Sequence, residues 1–169
     1  MVPLFDVFII VILLLFILWG AVVGIVGMVG NLLGFVAGII LGSKYYLILA
    51  DFVNKIFPKF NDQLVNVISF IVVLAIISKL VSMAVNLIFK VISIIPFAKT
   101  INKLIGGFVG LIGGILIAGA VVFMLSRYPF TPWIKEALLL SQLSPTLLLF
   151  FKPLTLLLPE VLKEIKSLL

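Results

Sequence analysis

Residues 7–43 read VFIIVILLLFILWGAVVGIVGMVGNLLGFVAGIILGS, without one acidic or basic side chain. About 20 apolar residues are enough to cross the hydrocarbon core of a bilayer. The stretch is far longer than that, and glycines gather towards its middle. We read it as two membrane-spanning helices, about 6–24 and 26–43, joined by a tight glycine-rich link. Asp6 opens the first and is expected in the headgroup layer. Two further apolar runs follow, about 64–89, interrupted by Lys79, and about 101–126. The expected fold is an all-α membrane protein with four transmembrane helices.

Composition agrees with that reading. Of 169 residues, 64% are hydrophobic and 11% charged, whereas a soluble domain carries about 25% charged residues. Twelve Lys/Arg against six Asp/Glu give a net charge of +6. The basic residues are scattered singly, and Arg127 is the one arginine. Nucleic-acid readers cluster such residues on one face, so no nucleic-acid partner is expected. Lysines at helix ends instead suit an anionic leaflet. The apolar run after Asp6 exceeds a signal peptide's usual length and lacks an Ala-x-Ala site, so it is read as a retained helix.

Glycine and proline divide the chain between them. The thirteen glycines fall in the first, second and fourth runs or the first link, and the eight prolines fall outside all four spans. Proline therefore marks the connections and glycine the packing faces. The 44–63 connection, with Tyr45 and Tyr46 at its start and Leu49, Phe52, Val53 and Ile56 at helical spacing, predicts an amphipathic interfacial helix. Thr131 and Pro132 fit the N-cap and first position of another helix. The apolar stretch 146–158 is short for a span. The last segment, PEVLKEIKSLL, sets Val161, Leu162, Ile165, Leu168 and Leu169 against Glu160, Lys163, Glu164 and Lys166. The division expected is a transmembrane domain over 1–128 and an amphipathic tail over 129–169, with a re-entrant hairpin in the tail as the alternative.

The strongest local signal is a four-residue glycine interval. It runs through Gly20 and Gly24, through Gly30, Gly34, Gly38 and Gly42, and through Gly106, Gly110 and Gly114. Four residues make slightly more than one helical turn, so each set cuts a smooth groove along its helix. In lipid, apolar burial gains little, and close backbone approach drives helices together instead. Such grooves serve packing within one chain, a homo-oligomer interface or a pore lining. The 64–89 run has no glycine and carries a polar stripe instead: Lys79, Ser82, Asn86, Lys90 and Ser93. A charge near mid-membrane costs about 2.5–3.5 kcal/mol on insertion scales. Lys79 is therefore expected to snorkel, pair structurally or face a water-lined path. Asn31 and Asn66 are expected to bond between helices, and Asn102 and Lys103 to anchor the fourth span.

No catalytic constellation appears. The sequence has no histidine and no cysteine, which removes imidazole bases, thiol nucleophiles and nearly all zinc sites. Ser82 could touch Lys79, but one serine near one lysine does not make a dyad. Neither enzyme activity nor a cofactor is expected. The partners expected are the lipid bilayer and other copies or other membrane proteins.

Asp6 before the first span, Gly20 and Gly24, GNLLGFVAGIILGSKYY over 30–46 and INKLIGGFVGLIGGILIAG over 101–119 together resemble the colicin V production (CvpA-like) family. The resemblance covers about 6–125, with a fainter echo at Ser141–Pro145. It departs at Val23, where relatives often carry a basic residue, and near Gly113, where another basic residue is missing. It implies a four-helix bacterial inner-membrane protein linked to production or export of a peptide bacteriocin, and to envelope homeostasis. Two functional readings follow. One is an export or envelope component, including a channel or transporter part. The other is a non-transporting scaffold that recruits a partner through its amphipathic tail.

Overall fold

The computed structural model describes residues 3–56, 61–92, 99–127, 131–159 and Leu162, leaving aside the side chains of 89–92 and 99. Among the described residues five helices are present: α1 (Leu4–Ile56), α2 (Asp62–Ile92), α3 (Lys99–Arg127), α4 (Pro132–Leu140) and α5 (Leu143–Thr155). No strand occurs among the described residues. The chain is an all-α membrane protein. Three helices, α1, α2 and α3, are long and apolar enough to cross a bilayer, and α4 with α5, bent by 91°, make a fourth candidate. Only 17% of the most apolar window of α1 is buried within the chain. Leu14, Leu15, Leu18 and Val22 stand outward, an arrangement that water would penalise and lipid does not.

A straight α1 of 53 residues would run about 80 Å at 1.5 Å per residue, far beyond a ~30 Å hydrocarbon core. It is not straight. Gly24 leaves the helical region at φ 80°, ψ 172°, a conformation essentially reserved for glycine. The break falls where the sequence predicts the link between the first two spans. Residues 25–56, however, do not stop at Ser43. They continue to Ile56, so the stretch 44–56 extends the second limb instead of forming a separate interfacial helix. The cause is visible in the sequence: no glycine or proline intervenes between Gly42 and Pro58 to end the helix.

The chain groups into two compact units. The first joins the start of α1 to α3, α4 and most of α5. Its core is Ile9, Ala118, Val122, Leu138 and Leu147, with Phe5, Leu13, Ile115, Leu125, Ile134 and Leu143 packed around them. Residues 4–23 run antiparallel to α3, since Gly20 meets Gly106 while Phe16 meets Gly110 and Gly114. Helices α4 and α5, part of the expected tail, belong to this unit. Pro132 takes the first turn of α4 after Thr131 in extended conformation, without a side-chain cap bond.

The second unit joins the rest of α1 to α2 and the segment after Pro153. The two helices are again antiparallel: Gly30 lies against Asn86, Gly34 against Ser82, Gly38 against Leu74 and Ser78, and Gly42 against Phe70. Tyr46 and Phe70 close the row edge to face, with ring centroids 6.4 Å apart. Ser43 Oγ donates to the Leu157 carbonyl at 2.6 Å, and Leu158 and Leu162 are buried. The tail residues 160, 161 and 163–169, on which the amphipathic face was otherwise built, lie outside the described residues, as does Ser93.

Candidate functional site

Three polar arrangements stand out within this apolar frame, and each is built against a helix backbone. The first lies in the second unit. Ser78, Ser82 and Asn86 follow each other at four-residue steps on α2, so they share one slowly drifting line. That line faces the Gly30–Gly34–Gly38 groove. A Cβ at Gly34 would stand 2.5 Å from the Ser78 carbonyl oxygen, and one at Gly30 would stand 2.8 Å from Asn86 Oδ1. The missing side chains thus let the polar groups enter the interface. Ser82 Oγ donates to Asn31 Oδ1 at 2.5 Å and accepts a longer bond from Asn86 Nδ2 at 3.4 Å. Ser78 Oγ occupies the space a Cβ at Gly38 would need and, among the described residues, has no hydrogen-bond partner.

The expected stripe is therefore divided. Ser82 is buried and Asn86 half-buried in helix packing, whereas Lys79 is exposed on another part of α2. Lys90 lies on α2 with its side chain outside the described residues. Asn31 bonds between helices in the way the sequence predicts.

The second arrangement is the glycine contact of the first unit. A Cβ at Gly20 or at Gly106 would collide with the other helix's backbone: with the Gly106 carbonyl oxygen in one case, with the Gly20 carbonyl oxygen in the other. Gly110 faces the Phe16 carbonyl in the same way, and Gly114 faces the Phe16 side chain. Gly24 takes a different part. Its backbone breaks α1, and Asn102 sits where a side chain would be. Asn102 Oδ1 accepts the N–H of Ile25 at 3.1 Å. A helix start leaves its first N–H groups without intrahelical partners. Asn102 supplies one from α3, doing from a distant part of the chain what an N-cap residue does locally.

The third arrangement was not legible as such. Asp6, expected among headgroups, is 2% exposed. Its carboxylate accepts Ser141 Oγ at 2.5 Å, Gln142 N–H at 2.9 Å and Leu143 N–H at 3.4 Å. Ser141 Oγ in turn accepts Ser144 N–H at 3.0 Å. The negative group thus sits at the start of α5, where unpaired N–H groups and the helix dipole favour an anion. It pins the 91° corner between α4 and α5 to the first turn of α1. The sequence signal was the Ser141-x-x-Ser144-Pro145 run, a helix-start pattern; nothing local names Asp6 as its partner, 135 positions away.

These groups position helices. Among the described residues, no three His, Cys, Asp or Glu side chains gather as a metal site would require. Compared with known proteins, residues 5–150 match the family described as Colicin V production protein. No curated protein matches the chain, and no solved structure does.

Proposed function

The chain belongs to the colicin V production protein family, and from that premise we propose a multi-pass protein of the bacterial inner membrane that serves production or export of a peptide bacteriocin and the upkeep of the envelope. Within that role we read it as an assembly component and not as a self-contained pore. The observation that supports this reading is the fate of the polar line on α2. Ser82 and Asn86 are used in hydrogen bonds inside the helix pair, and the facing glycines bring the backbones too close for a water-filled path between them.

The channel or transporter reading rests on the same stripe and, among the described side chains, keeps only Lys79, which is exposed. A scaffold acting through its tail has a weaker basis, since Leu158 and Leu162 are already buried in the chain. Recruitment through the membrane-facing helices fits better.

The test is genetic. Deleting the gene from a bacteriocin-producing strain should lower released bacteriocin, and the wild-type gene should restore it. Unchanged release would count against the role. A conductance by the purified chain in planar bilayers would count against the assembly reading in favour of a pore.

A further inference from the structure

Helix α2 has two long faces, and among the described residues one is unpartnered. The line Ser78–Ser82–Asn86 meets the glycine groove. Val72, Ile76, Lys79, Met83 and Leu87 are all exposed on another side. Their spacing runs four, three, four and four, and they span about 80° of arc at 100° per residue. This is the seam by which one helix packs lengthwise on another. A lysine stands in the middle of it. Lys79 lies about 25 Å along the helix from Asp62 and about 20 Å from Ile92, at 1.5 Å per residue. A hydrocarbon core of ~30 Å centred on this 31-residue helix would end about 8 Å inside each terminus, leaving Lys79 about 12 Å from the nearer boundary, beyond the reach of a snorkelling stem.

Charged residues at such depth face protein or water, and pair with a group of opposite sign. This chain has six acidic residues: Asp6, Asp51, Asp62, Glu136, Glu160 and Glu164. Among the described ones, Asp6, Asp51, Asp62 and Glu136, none is near the middle of a long apolar helix. Asp6 is occupied by Ser141, Gln142 and Leu143. Two copies meeting by a twofold axis through this seam, with their α2 helices parallel, would set Lys79 against Lys79. A second copy is thus a poor occupant.

We infer that the Lys79 face of α2 docks a transmembrane helix of another membrane protein, one that carries Asp or Glu near its midpoint. This rests on the reading of the chain as an assembly component and names the partner's chemistry. Lys79 gives the seam its register, as a single polar residue does in a coiled coil, and the apolar positions on either side supply the contact.

The test uses the full chain in phosphatidylcholine vesicles, with energy transfer to synthetic Leu/Ala transmembrane peptides bearing Glu, Gln or Lys at the midpoint. The Glu peptide should associate roughly tenfold more tightly than the Gln peptide, the scale of a polar contact between helices in lipid. Lys79→Met should abolish the preference, Lys79→Arg should keep it, and Lys79→Glu should transfer it to the Lys peptide. Moving the charge to the outward face of another helix, with Lys79→Leu and Leu14→Lys together, should lose it. Equal association of the Glu and Gln peptides with the wild-type chain overturns the proposal. So does a preference that survives the move, since charge without the seam would then suffice. Failure in vesicles leaves the effect of gene deletion on bacteriocin release standing as the separate test of the role.

Discussion

Asn102 Oδ1 accepts the N–H of Ile25 at 3.1 Å, across 77 positions of sequence. The bond joins the entry of α3 to the one point where α1 leaves helical geometry, Gly24 at φ 80°. Backbone strain and distant cap belong together: glycine permits the break, and asparagine satisfies a donor that the break exposes.

Replacing either residue should therefore loosen the same joint. Asn102→Ala removes the cap and should cost about 0.5–2 kcal/mol, the range for losing an N-cap side chain. Gly24→Ala should cost more. It adds the strain of a conformation nearly closed to other residues, about 1–3 kcal/mol, and its Cβ would stand 2.6 Å from Asn102 Nδ2. Unfolding of the two variants in mild detergent, against wild type, gives the order.

The glycines should not be equivalent. Gly106→Ala puts a methyl group into the backbone of the facing helix and should destabilise by about 1–3 kcal/mol, as overpacking does. Gly113→Ala should be nearly silent, since the nearest atom to its Cβ would be the Met28 methyl at 3.8 Å. Equal effects at both positions would show that the backbone contact does not set the cost.

Asp6 should behave as a fastener for the α4–α5 corner. Asp6→Ala leaves Ser141, Gln142 and Leu143 without their common acceptor. Hydrogen bonds to a charged group are worth about 1.5–3 kcal/mol each before non-additivity. The chain has no cysteine, so a single Leu147→Cys reports on α5, where Leu147 is 5% exposed. Its reaction with a thiol reagent should be slow in the Asp6 background and fast with Asp6→Ala. Asp6→Asn, which keeps one acceptor oxygen, should fall between them.

How much of this the sequence announces differs from residue to residue. The charge-free run 7–43 makes the chain a membrane protein by itself, and the four-residue interval places Gly20, Gly30, Gly34 and Gly106 at helix contacts. These are properties of one helix at a time, so a pattern along the chain carries them. Gly24 reads as another member of the interval, yet it is the break, because φ depends on what the joined helices must do. Residues 44–56 are amphipathic enough to read as a surface helix, but amphipathic spacing says nothing about whether the preceding helix ends. The polar stripe mixes two faces, since Lys79 is only three positions from Ser82 and the rotation that separates them is fixed by the glycine groove opposite. The Asp6–Ser141 and Asn102–Ile25 bonds join distant stretches, and neither has a local signature on both partners.

The most direct test of the central claim, that the polar line of α2 is sealed in helix packing and does not line a water path, is thiol accessibility at that line in intact membranes. Single cysteines at Ser82 and Asn86 are exposed to a membrane-impermeant thiol reagent from either side, with Gln63→Cys, at the exposed start of α2, as the reactive reference. The packed arrangement predicts rapid labelling at position 63 and protection at both 82 and 86. Labelling of 82 and 86 at the rate seen at 63 would contradict it and put water between α2 and the glycine groove.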